Sequence, residues 1–485
     1  MNHRMILFMV GRIVRLEAVL LLLPVLVAAL YGEACAIPLL ITAAIAAAVG
    51  CGMTLPFRPK NTVIYAPEGF VITALAWILL SAIGALPFVF AGEIPSYVDA
   101  FFETVSGFTT TGASILTDVE AMSHGLLFWR TFTHWLGGMG ILVLMMAIFP
   151  SGSGRTIHIM RAEMPGPVVG KITPRIHATA KILYLIYIAL TVLETVFLLV
   201  GGMPLFDSVL HALGTAGTGG FGIKADSLAG YSPYLQWVVT VFMLLFGINF
   251  NIYYLLLLRR FRNVAKSGET WCYLSIFLVS TALITFNIRA VYASFGESIR
   301  HAAFQVASIL TTTGFATADF NLWPGFSRAL LVFLMFFGGC AGSTSGGLKI
   351  SRVMLLFKMI RRDLRAMLHP RAVGTVRLDG KTVEENTLQV TGSYFALYAI
   401  CIAVLSLVLC LEPFSFETNV TAAISCFNNI GPGLDVVGPA GSYAGYSAFS
   451  KLLLSLAMLM GRLELFPILL ALSPSTYLQN RQNRS

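Results

Sequence analysis

Long apolar runs constrain this chain more than any other feature of its sequence. A helix needs about 20 apolar residues to cross the roughly 30 Å hydrocarbon core of a bilayer, and such runs recur from one end of the 485 residues to the other. Only 11% of the residues are charged, compared with about 25% in soluble domains. We therefore predict spans at residues 6–31, 35–55, 68–91, 126–150, 178–201, 234–258, 271–295, 326–360, 390–411 and 447–473.

The charges and cysteines argue against several other classes of protein. With the N-terminus placed inside, most of the 32 Lys and Arg fall in inner segments, in agreement with the positive-inside rule, and both termini are then cytoplasmic. We attribute the net charge of +9 to topology and contact with anionic membrane lipid in preference to nucleic acid. The seven cysteines have no metal-ligand spacing, and neither HExxH nor GxSxG occurs, so we expect no enzyme.

Between the later spans the chain repeats one short, half-polar segment four times. Aligned on a glycine, the copies are residues 105–112, 213–220, 307–314 and 424–431. The residue six positions before each glycine is small (Ser106, Gly214, Ser308 and Ser425), which would let four short helices approach a common axis. Each unit runs span, re-entrant segment, span, so all four units have the same orientation.

These observations predict a fold. We expect an all-α membrane protein in which four same-orientation helix–pore loop–helix repeats surround a pseudo-fourfold pore, preceded by two extra N-terminal transmembrane helices. The predicted divisions are residues 1–60 for those two helices and 61–165, 166–265, 266–375 and 376–485 for repeats 1 to 4.

The repeated segment has the chemistry of a site for a desolvated monovalent cation. A helix over residues 98–108 covers only about 16 Å at 1.5 Å per residue, so the Thr-Thr-Thr-Gly that follows leaves backbone carbonyls unpaired at membrane depth. Rings of carbonyl oxygens replace an ion's water without fixed charge, and the absence of carboxylates from all four stretches argues against a divalent site. One such turn alone is an ordinary helix end, but four in register favour a filter. The predicted filter residues, which would hold the monovalent cation, are Thr109, Thr110, Thr111, Gly112, Gly217, Thr218, Gly219, Gly220, Thr311, Thr312, Thr313, Gly314, Asn428, Asn429, Ile430 and Gly431.

Two features of the later spans suggest gating. The predicted eighth span is interrupted by residues 338–347, a glycine-rich stretch that cannot hold a firm helix. We predict that it forms a hinge or plug, with Gly338, Gly339, Gly342, Ser343, Thr344, Ser345, Gly346 and Gly347 as its gating residues. Arg462 lies inside the last predicted span, where a buried arginine is functional by default. A salt bridge to another helix is the alternative role for Arg462.

These motifs resemble the Trk/Ktr/HKT superfamily of potassium transporters, and most closely its bacterial TrkH/TrkG branch, over essentially the whole chain. The resemblance rests on Thr-Thr-Thr-Gly-Ala-Ser at 109–114, Gly-Thr-Gly-Gly-Phe-Gly at 217–222, Thr-Thr-Thr-Gly-Phe at 311–315, Asn-Asn-Ile-Gly-Pro-Gly at 428–433 and Gly-Arg-Leu-Glu-Leu-Phe-Pro at 461–467. It implies potassium as the favoured ion, because a serine at the first anchor goes with sodium transport in the superfamily and all four anchors here are glycine.

The resemblance also implies a setting for the protein. It implies a multi-pass protein of the bacterial inner membrane that acts as a homodimer on a cytosolic, TrkA-like regulatory subunit. Adenine nucleotide or NAD would then act only through that partner, and no covalent cofactor is expected. The inner basic segments 155–181 and 349–381 are where we expect the partner to dock. The loop 338–347 would close the pore, and Arg462 would lie in the cavity beneath the filter.

Two mechanisms for potassium uptake remain open from the sequence. The first is channel-like permeation driven by the membrane potential. The second is symport with H+ or Na+, for which broken helices are also typical. Symporters usually have inverted repeats, whereas these repeats share one orientation.

Overall fold

Helices contain most of the residues that the structure describes. The computed structural model describes residues 1–57, 59, 66–140, 176–369 and 374–473. Within these ranges the only sheet is an antiparallel pair, β1 (Arg377–Leu378) and β2 (Lys381–Thr382). The helices are α1 (His3–Leu20), α2 (Leu22–Tyr31), α3 (Ala36–Thr54), α4 (Ala66–Gly84), α5 (Leu86–Phe90), α6 (Tyr97–Phe108), α7 (His124–Gly138), α8 (Ile176–Val200), α9 (Leu205–Gly217), α10 (Pro233–Phe246), α11 (Phe250–Leu257), α12 (Phe261–Ala265), α13 (Gly268–Ile288), α14 (Phe295–Leu310), α15 (Gly325–Leu334), α16 (Ile350–Leu368), α17 (Glu385–Leu409), α18 (Phe416–Asn428), α19 (Ala448–Arg462) and α20 (Leu465–Leu472).

Six helical stretches are long and apolar enough to cross a membrane in the part of the chain that the structure describes. They are His3–Tyr31, Ala36–Thr54, Pro67–Phe90, Ala180–Val200, Gly268–Ile288 and Glu385–Leu409. Each coincides with a predicted span to within a few residues. The predicted span 126–150 lies partly outside the described residues, which contain only its first half as α7.

Two predicted spans, 234–258 and 447–473, are wrong as straight helices. The axes of α10 and α11 differ by 89°, and those of α19 and α20 by 119°. In the first case Gly247 ends α10 and the Asn249 side chain caps α11 by accepting the N–H of Asn251 at 2.9 Å. In the second case Glu464 takes a left-handed φ of 63°, which ends a helix. The predicted span 326–360 consists of α15 and α16, and the non-helical stretch between them is wider than the predicted 338–347.

Four short helices, α6, α9, α14 and α18, lead into the four repeated segments. They contain 12, 13, 16 and 13 residues, or about 18–24 Å at 1.5 Å per residue, so none of them crosses a bilayer. Each carries a carboxylate in its first turn, namely Asp99, Asp207, Glu297 and Glu417. Negative charge stabilises a helix N-terminus, and the partly negative C-terminal ends therefore lie at the repeated segments.

The two N-terminal spans pack closely through glycine. A Cβ atom on Gly11 of α1 would lie 2.7 Å from Cβ of Met53, and one on Gly50 of α3 would lie 2.9 Å from the carbonyl oxygen of Gly11. Small residues allow spanning helices to approach to this distance. Large apolar side chains such as Leu30 and Leu407 are exposed on the outer surface, as expected for a chain surrounded by lipid.

Candidate functional site

The four repeated segments share one backbone conformation although their side chains differ. After each short helix a residue adopts a left-handed φ of 54–57°, at Thr110, Thr218, Thr312 and Asn429. Two residues later the anchor glycine also has a positive φ, at Gly112, Gly220, Gly314 and Gly431 (73–104°). Asparagine takes such an angle more readily than most residues, but β-branched threonine rarely does, so the surrounding structure must impose it at the three threonines.

The small residue six positions before each anchor has a hydrogen-bonding role that its size alone did not predict. Its carbonyl oxygen accepts the N–H of the residue just before the anchor in every segment. The four bonds are Thr111 to Ser106 (2.9 Å), Gly219 to Gly214 (3.0 Å), Thr313 to Ser308 (2.8 Å) and Ile430 to Ser425 (3.0 Å). Each segment is therefore held to its own helix end in the same way.

The four segments contact one another in a closed cyclic order. A Cβ atom on Gly112 would overlap the carbonyl oxygen of Gly219, and a Cβ atom on Gly220 would overlap that of Thr313. A Cβ atom on Gly314 would likewise overlap the carbonyl oxygen of Ile430. The circle closes at Gly431, whose added Cβ would lie 2.7 Å from the carbonyl oxygen of Thr111. We call this arrangement of the segments 109–112, 217–220, 311–314 and 428–431 the ring.

Four buried carbonyl groups in the ring are available to a ligand. Within the described ranges, the carbonyl oxygens of Thr111, Gly219, Thr313 and Ile430 accept no hydrogen bond. Buried carbonyls are nearly always paired, so four equivalent exceptions in one ring indicate a site that an external group completes. Their chemistry suits a cation, which accepts oxygen lone pairs without needing a proton.

Side-chain hydroxyl and amide groups form hydrogen bonds that support the backbone of the ring. The Thr109 and Thr111 hydroxyls are 2.8 Å apart, and those of Thr311 and Thr313 are 2.7 Å apart. In the fourth segment the Asn429 amide instead donates to the Thr111 hydroxyl (3.0 Å), and Tyr398 donates to Asn428 (2.6 Å). In the second segment Gly217 and Gly219 stand at the positions of Thr109 and Thr111, so this pair of hydroxyls is missing there. Different side chains thus support one backbone shape.

A buried ion pair beside the ring was missed by the sequence analysis. Arg130 Nε lies 2.6 Å from Glu103 Oε1, and both side chains are at most 3% exposed. The Glu103 carboxylate also accepts the N–H of Ile115 (2.9 Å), and Arg130 donates to the carbonyl of Gly222 (3.0 Å). The pair thereby ties the chain that follows the first anchor to the chain that follows the second. Its only sequence signal was a charged residue inside each of two apolar helices.

The stretch 338–347, hereafter the loop, adjoins the ring on the side where the spanning helices break. The N–H of Gly346 donates to the Thr312 hydroxyl at 2.7 Å, and a Cβ atom on Gly346 would lie 2.7 Å from the carbonyl oxygen of Asn428. Ser343, Thr344 and Ser345 are buried. The loop therefore lies against the third and fourth segments.

The two arms of the loop are joined to each other and to the second repeat. Gly338 N–H donates to the Leu348 carbonyl (2.8 Å), and Ile350 N–H donates to that of Gly339 (3.3 Å). Gly342 accepts the N–H of Phe250 (3.0 Å). Gly342 and Gly347 have φ of 74° and 64°, which glycine adopts without strain.

Arg462 lies at the end of α19, where the helix bends, rather than inside a continuous span. Its guanidinium donates to the carbonyl of Thr344 in the loop (2.7 Å) and to those of Gly137 and Gly138 (2.6 Å each). The side chain is 8% exposed. One arginine thus joins the fourth repeat to the loop and to the end of α7.

Further charged residues around the loop make contacts that the sequence analysis did not predict. The Lys349 ammonium donates to the Ser345 carbonyl. Arg352 pairs with Glu464 at 2.6 Å and stacks over the Tyr394 ring at 4.1 Å. Glu269 accepts two backbone N–H groups, one of them from the loop. Lys349 and Arg352 begin the expected docking segment 349–381, but the structure buries Lys349 and pairs Arg352 with Glu464.

Comparison with known proteins gives a consistent result over the full length. Residues 38–295 and 267–481 match the profile of the family TrkH, described as a cation transport protein. The chain is 37% identical to the Trk system potassium uptake protein TrkH of Salmonella typhimurium and to that of Escherichia coli K12, over 98% of this chain and 99% of theirs. It is 33% identical to the TrkG protein of Escherichia coli K12, over 97% of this chain and 98% of that protein.

A solved structure has the same fold. The crystal structure of the potassium transporter TrkH from Vibrio parahaemolyticus superimposes with a TM-score of 0.88 and 32% sequence identity. The match covers 98% of this chain and 100% of that one.

Proposed function

The chain belongs to the TrkH family of Trk potassium uptake proteins, and from that premise we propose that it is a potassium-selective, ion-conducting membrane subunit for K+ uptake. The ring is its selectivity filter, and four same-orientation repeats surround a pseudo-fourfold pore. Permeation is channel-like and involves no covalent chemistry, so the protein is not an enzyme.

The observation that carries this proposal is the set of four buried, unpaired carbonyl oxygens at Thr111, Gly219, Thr313 and Ile430. Moving an ion into a low-dielectric medium costs on the order of 20 kcal/mol by idealised Born estimates. Carbonyl oxygens replace the lost water of K+ without adding fixed charge. The cyclic contacts bring one such oxygen from each segment into the same ring.

The short helices add favourable electrostatics. The C-terminal ends of α6, α9, α14 and α18 carry partial negative charge and end at the ring. The four segments themselves contain no carboxylate, which favours a monovalent over a divalent ion. The membrane potential supplies about 2.3 kcal/mol per charge per 100 mV, so inward K+ movement needs no coupled reaction.

The loop and Arg462 act as the gate in this proposal. The loop contacts Thr312 and lies close to Asn428. In this position it would block an ion that leaves the ring on the side of the loop. Arg462 holds the Thr344 carbonyl and adds a positive charge beneath the filter. Opening then requires the loop to withdraw from the ring.

The same proposal extends to assembly and location. We expect a homodimer in the bacterial inner membrane, with both termini cytoplasmic, gated by a cytosolic TrkA-like subunit that binds adenine nucleotide or NAD. Of the two expected docking segments, residues 155–175 lie outside the described residues, whereas α16 carries exposed bases such as Arg361 and Arg365. Loss of co-purification after neutralising these bases would support docking there.

Symport with H+ is the second candidate, and one residue favours it. Glu17 of α1 is fully buried, and neither of its carboxyl oxygens has a hydrogen-bond partner among the described residues. A carboxyl group without a partner inside a spanning helix is expensive and is functional by default. Flux in proteoliposomes at a fixed voltage, with and without a pH gradient, separates the two mechanisms, because only symport makes K+ flux follow the pH gradient.

Replacement of an anchor glycine tests the filter. Gly314→Ser adds a side chain that would overlap the Ile430 carbonyl oxygen, at a φ of 85°. We expect K+ flux to fall relative to Na+ flux by about tenfold or more, since a loss of 1.4 kcal/mol of ion stabilisation already corresponds to tenfold. The matched control is Gly296→Ser in α14, where an added Cβ meets nothing within 4 Å. Unchanged K+ over Na+ selectivity in a folded Gly314→Ser protein would contradict the assignment of the ring.

A further inference from the structure

Glu269 lies in a spanning helix and forms hydrogen bonds to the loop and to the start of α16. It is the second residue of the spanning helix α13 and is only 7% exposed. Its Oε1 atom accepts the N–H of Ala341, within the loop, at 2.7 Å and the N–H of Ser351, at the start of α16, at 3.0 Å. We propose that Glu269 is a positioning residue that holds the loop against the ring. This inference rests on the proposed function, in which the loop is the gate.

Backbone hydrogen bonds join the loop and the start of α16 into one unit. The bonds from Gly338 to Leu348 and from Ile350 to Gly339 close the neck of the loop. The carboxylate of Glu269 is where that unit is attached to a spanning helix of the third repeat. Both hydrogen bonds are made by the same carboxyl oxygen, so one side chain holds the loop and the start of α16 together.

Hydrogen-bond donors and a lysine side chain surround the Glu269 carboxyl group and offset part of the cost of burying it. The Ser351 N–H belongs to the first turn of α16, where the helix dipole favours negative charge. The adjacent Lys349 adds positive charge and donates to the Ser345 carbonyl of the same loop. Glu269 thus holds the neck of the loop, whereas Arg462, Thr312 and Lys349 contact its tip.

The contacts at the tip and at the base have different consequences. The tip contacts lie where an ion would pass, so they must break on opening. The Glu269 contacts lie at the neck and involve none of the four unpaired carbonyls of the ring. Removing the carboxylate should therefore loosen the closed state without changing how the ring discriminates between ions.

The test is K+ flux into proteoliposomes containing the full-length protein, without a regulatory partner. Glu269→Ala is expected to raise the flux by about tenfold, because two hydrogen bonds at the neck of the loop are lost, with K+ over Na+ selectivity unchanged. Glu269→Gln keeps a carbonyl oxygen in the same place and should restore flux close to that of the original protein. The matched control is Glu385→Ala, which removes an exposed carboxylate from the start of α17 that pairs with Arg362 instead of the loop.

Two further variants allow the proposal to be tested whether or not Glu269→Ala folds. Ala341→Pro removes the loop's N–H from the same bond and decides the matter if Glu269→Ala fails to fold. A variant with a shortened loop reports on the gate itself. If the shortened loop raises K+ flux while folded Glu269→Ala or Ala341→Pro does not, the role of Glu269 is overturned and the gate remains. If neither the original protein nor the shortened-loop variant conducts K+, the proposed function itself fails.

Discussion

At the scale of single residues, the ring depends on backbone geometry more than on side-chain identity. Thr110, Thr218, Thr312 and Asn429 share one φ although the second segment is rich in glycine and the fourth in asparagine. The anchor glycines were predicted from the sequence because they align, and glycine tolerates the required angles. Their close approach to a neighbouring carbonyl was not predictable, since it depends on contacts between residues that lie 93 to 320 positions apart in the sequence.

The Glu103–Arg130 pair provides a prediction at this scale. Glu103→Ala leaves a buried guanidinium without its carboxylate, and breaking a buried pair in this way costs about 3–5 kcal/mol. We expect a lower midpoint of thermal unfolding in detergent. We also expect weaker K+ over Na+ selectivity, because the pair ties the chains after Gly112 and Gly220 together.

The control for this prediction is another acidic residue with an arginine partner. Glu297 lies 3.8 Å from Arg300, and both side chains are partly exposed. Such surface pairs contribute about 0–1 kcal/mol, so Glu297→Ala should change stability little. Equal effects of the two substitutions would mean that the buried pair does not brace the ring.

At the scale of helices, the breaks are where sequence and structure differ most. The glycine-rich loop was predicted because several glycines in one span lower helix propensity. The bends at residues 247–249 and 463–464 were not, because they contain only one glycine or none, and a single Asn249 or Glu464 does not by itself end a helix. There the chain leaves the helix to make tertiary contacts, such as the bond from Cys340 N–H to the Gly247 carbonyl (2.9 Å) and the Arg352–Glu464 pair.

The start of α18 gives a prediction about pH. Ser415 caps this helix, and its hydroxyl and that of Thr418 donate to Asp435 Oδ2 at 2.6 and 2.7 Å. These bonds favour the charged carboxylate and lower the pKa of Asp435 below its ordinary value. The stabilisation is therefore complete above the unfolded pKa of about 3.9 and is lost as the pH falls through the lower folded value.

The corresponding measurement is the midpoint of thermal unfolding as a function of pH. Asp435→Asn should lower it near neutral pH by an amount equivalent to less than about 1 kcal/mol, because the carboxylate is exposed. The difference from the original protein should shrink as the pH falls below about 4. Thr418→Val removes one of the two donors and should reproduce part of the effect. Parallel curves down to the lowest accessible pH would show that these bonds do not stabilise the helix start.

At the scale of the whole molecule, the sequence predicted the kinds of element better than their arrangement. The apolar runs identified helices such as Ala36–Thr54 and Glu385–Leu409, and the four aligned segments each follow a short helix. The cyclic order of contacts from Gly112 through Gly220 and Gly314 to Gly431 needed coordinates. Periodicity along one chain says which units are alike, whereas the order around a ring depends on how those units pack.

The native cysteines allow the predicted orientation to be tested on the whole molecule. Cys410 follows the C-terminal end of α17 and is exposed, whereas Cys51 lies near the opposite side of the membrane at the end of α3. With both termini cytoplasmic, Cys410 faces outward, so a membrane-impermeant maleimide added to intact cells should label the protein. Cys410→Ser should remove most of that labelling, and the control Cys51→Ser should leave it unchanged. Labelling that appears only after permeabilisation, or that is lost with Cys51→Ser, would reverse the orientation and would move the acidic N-termini of the four short helices to the cytoplasmic side.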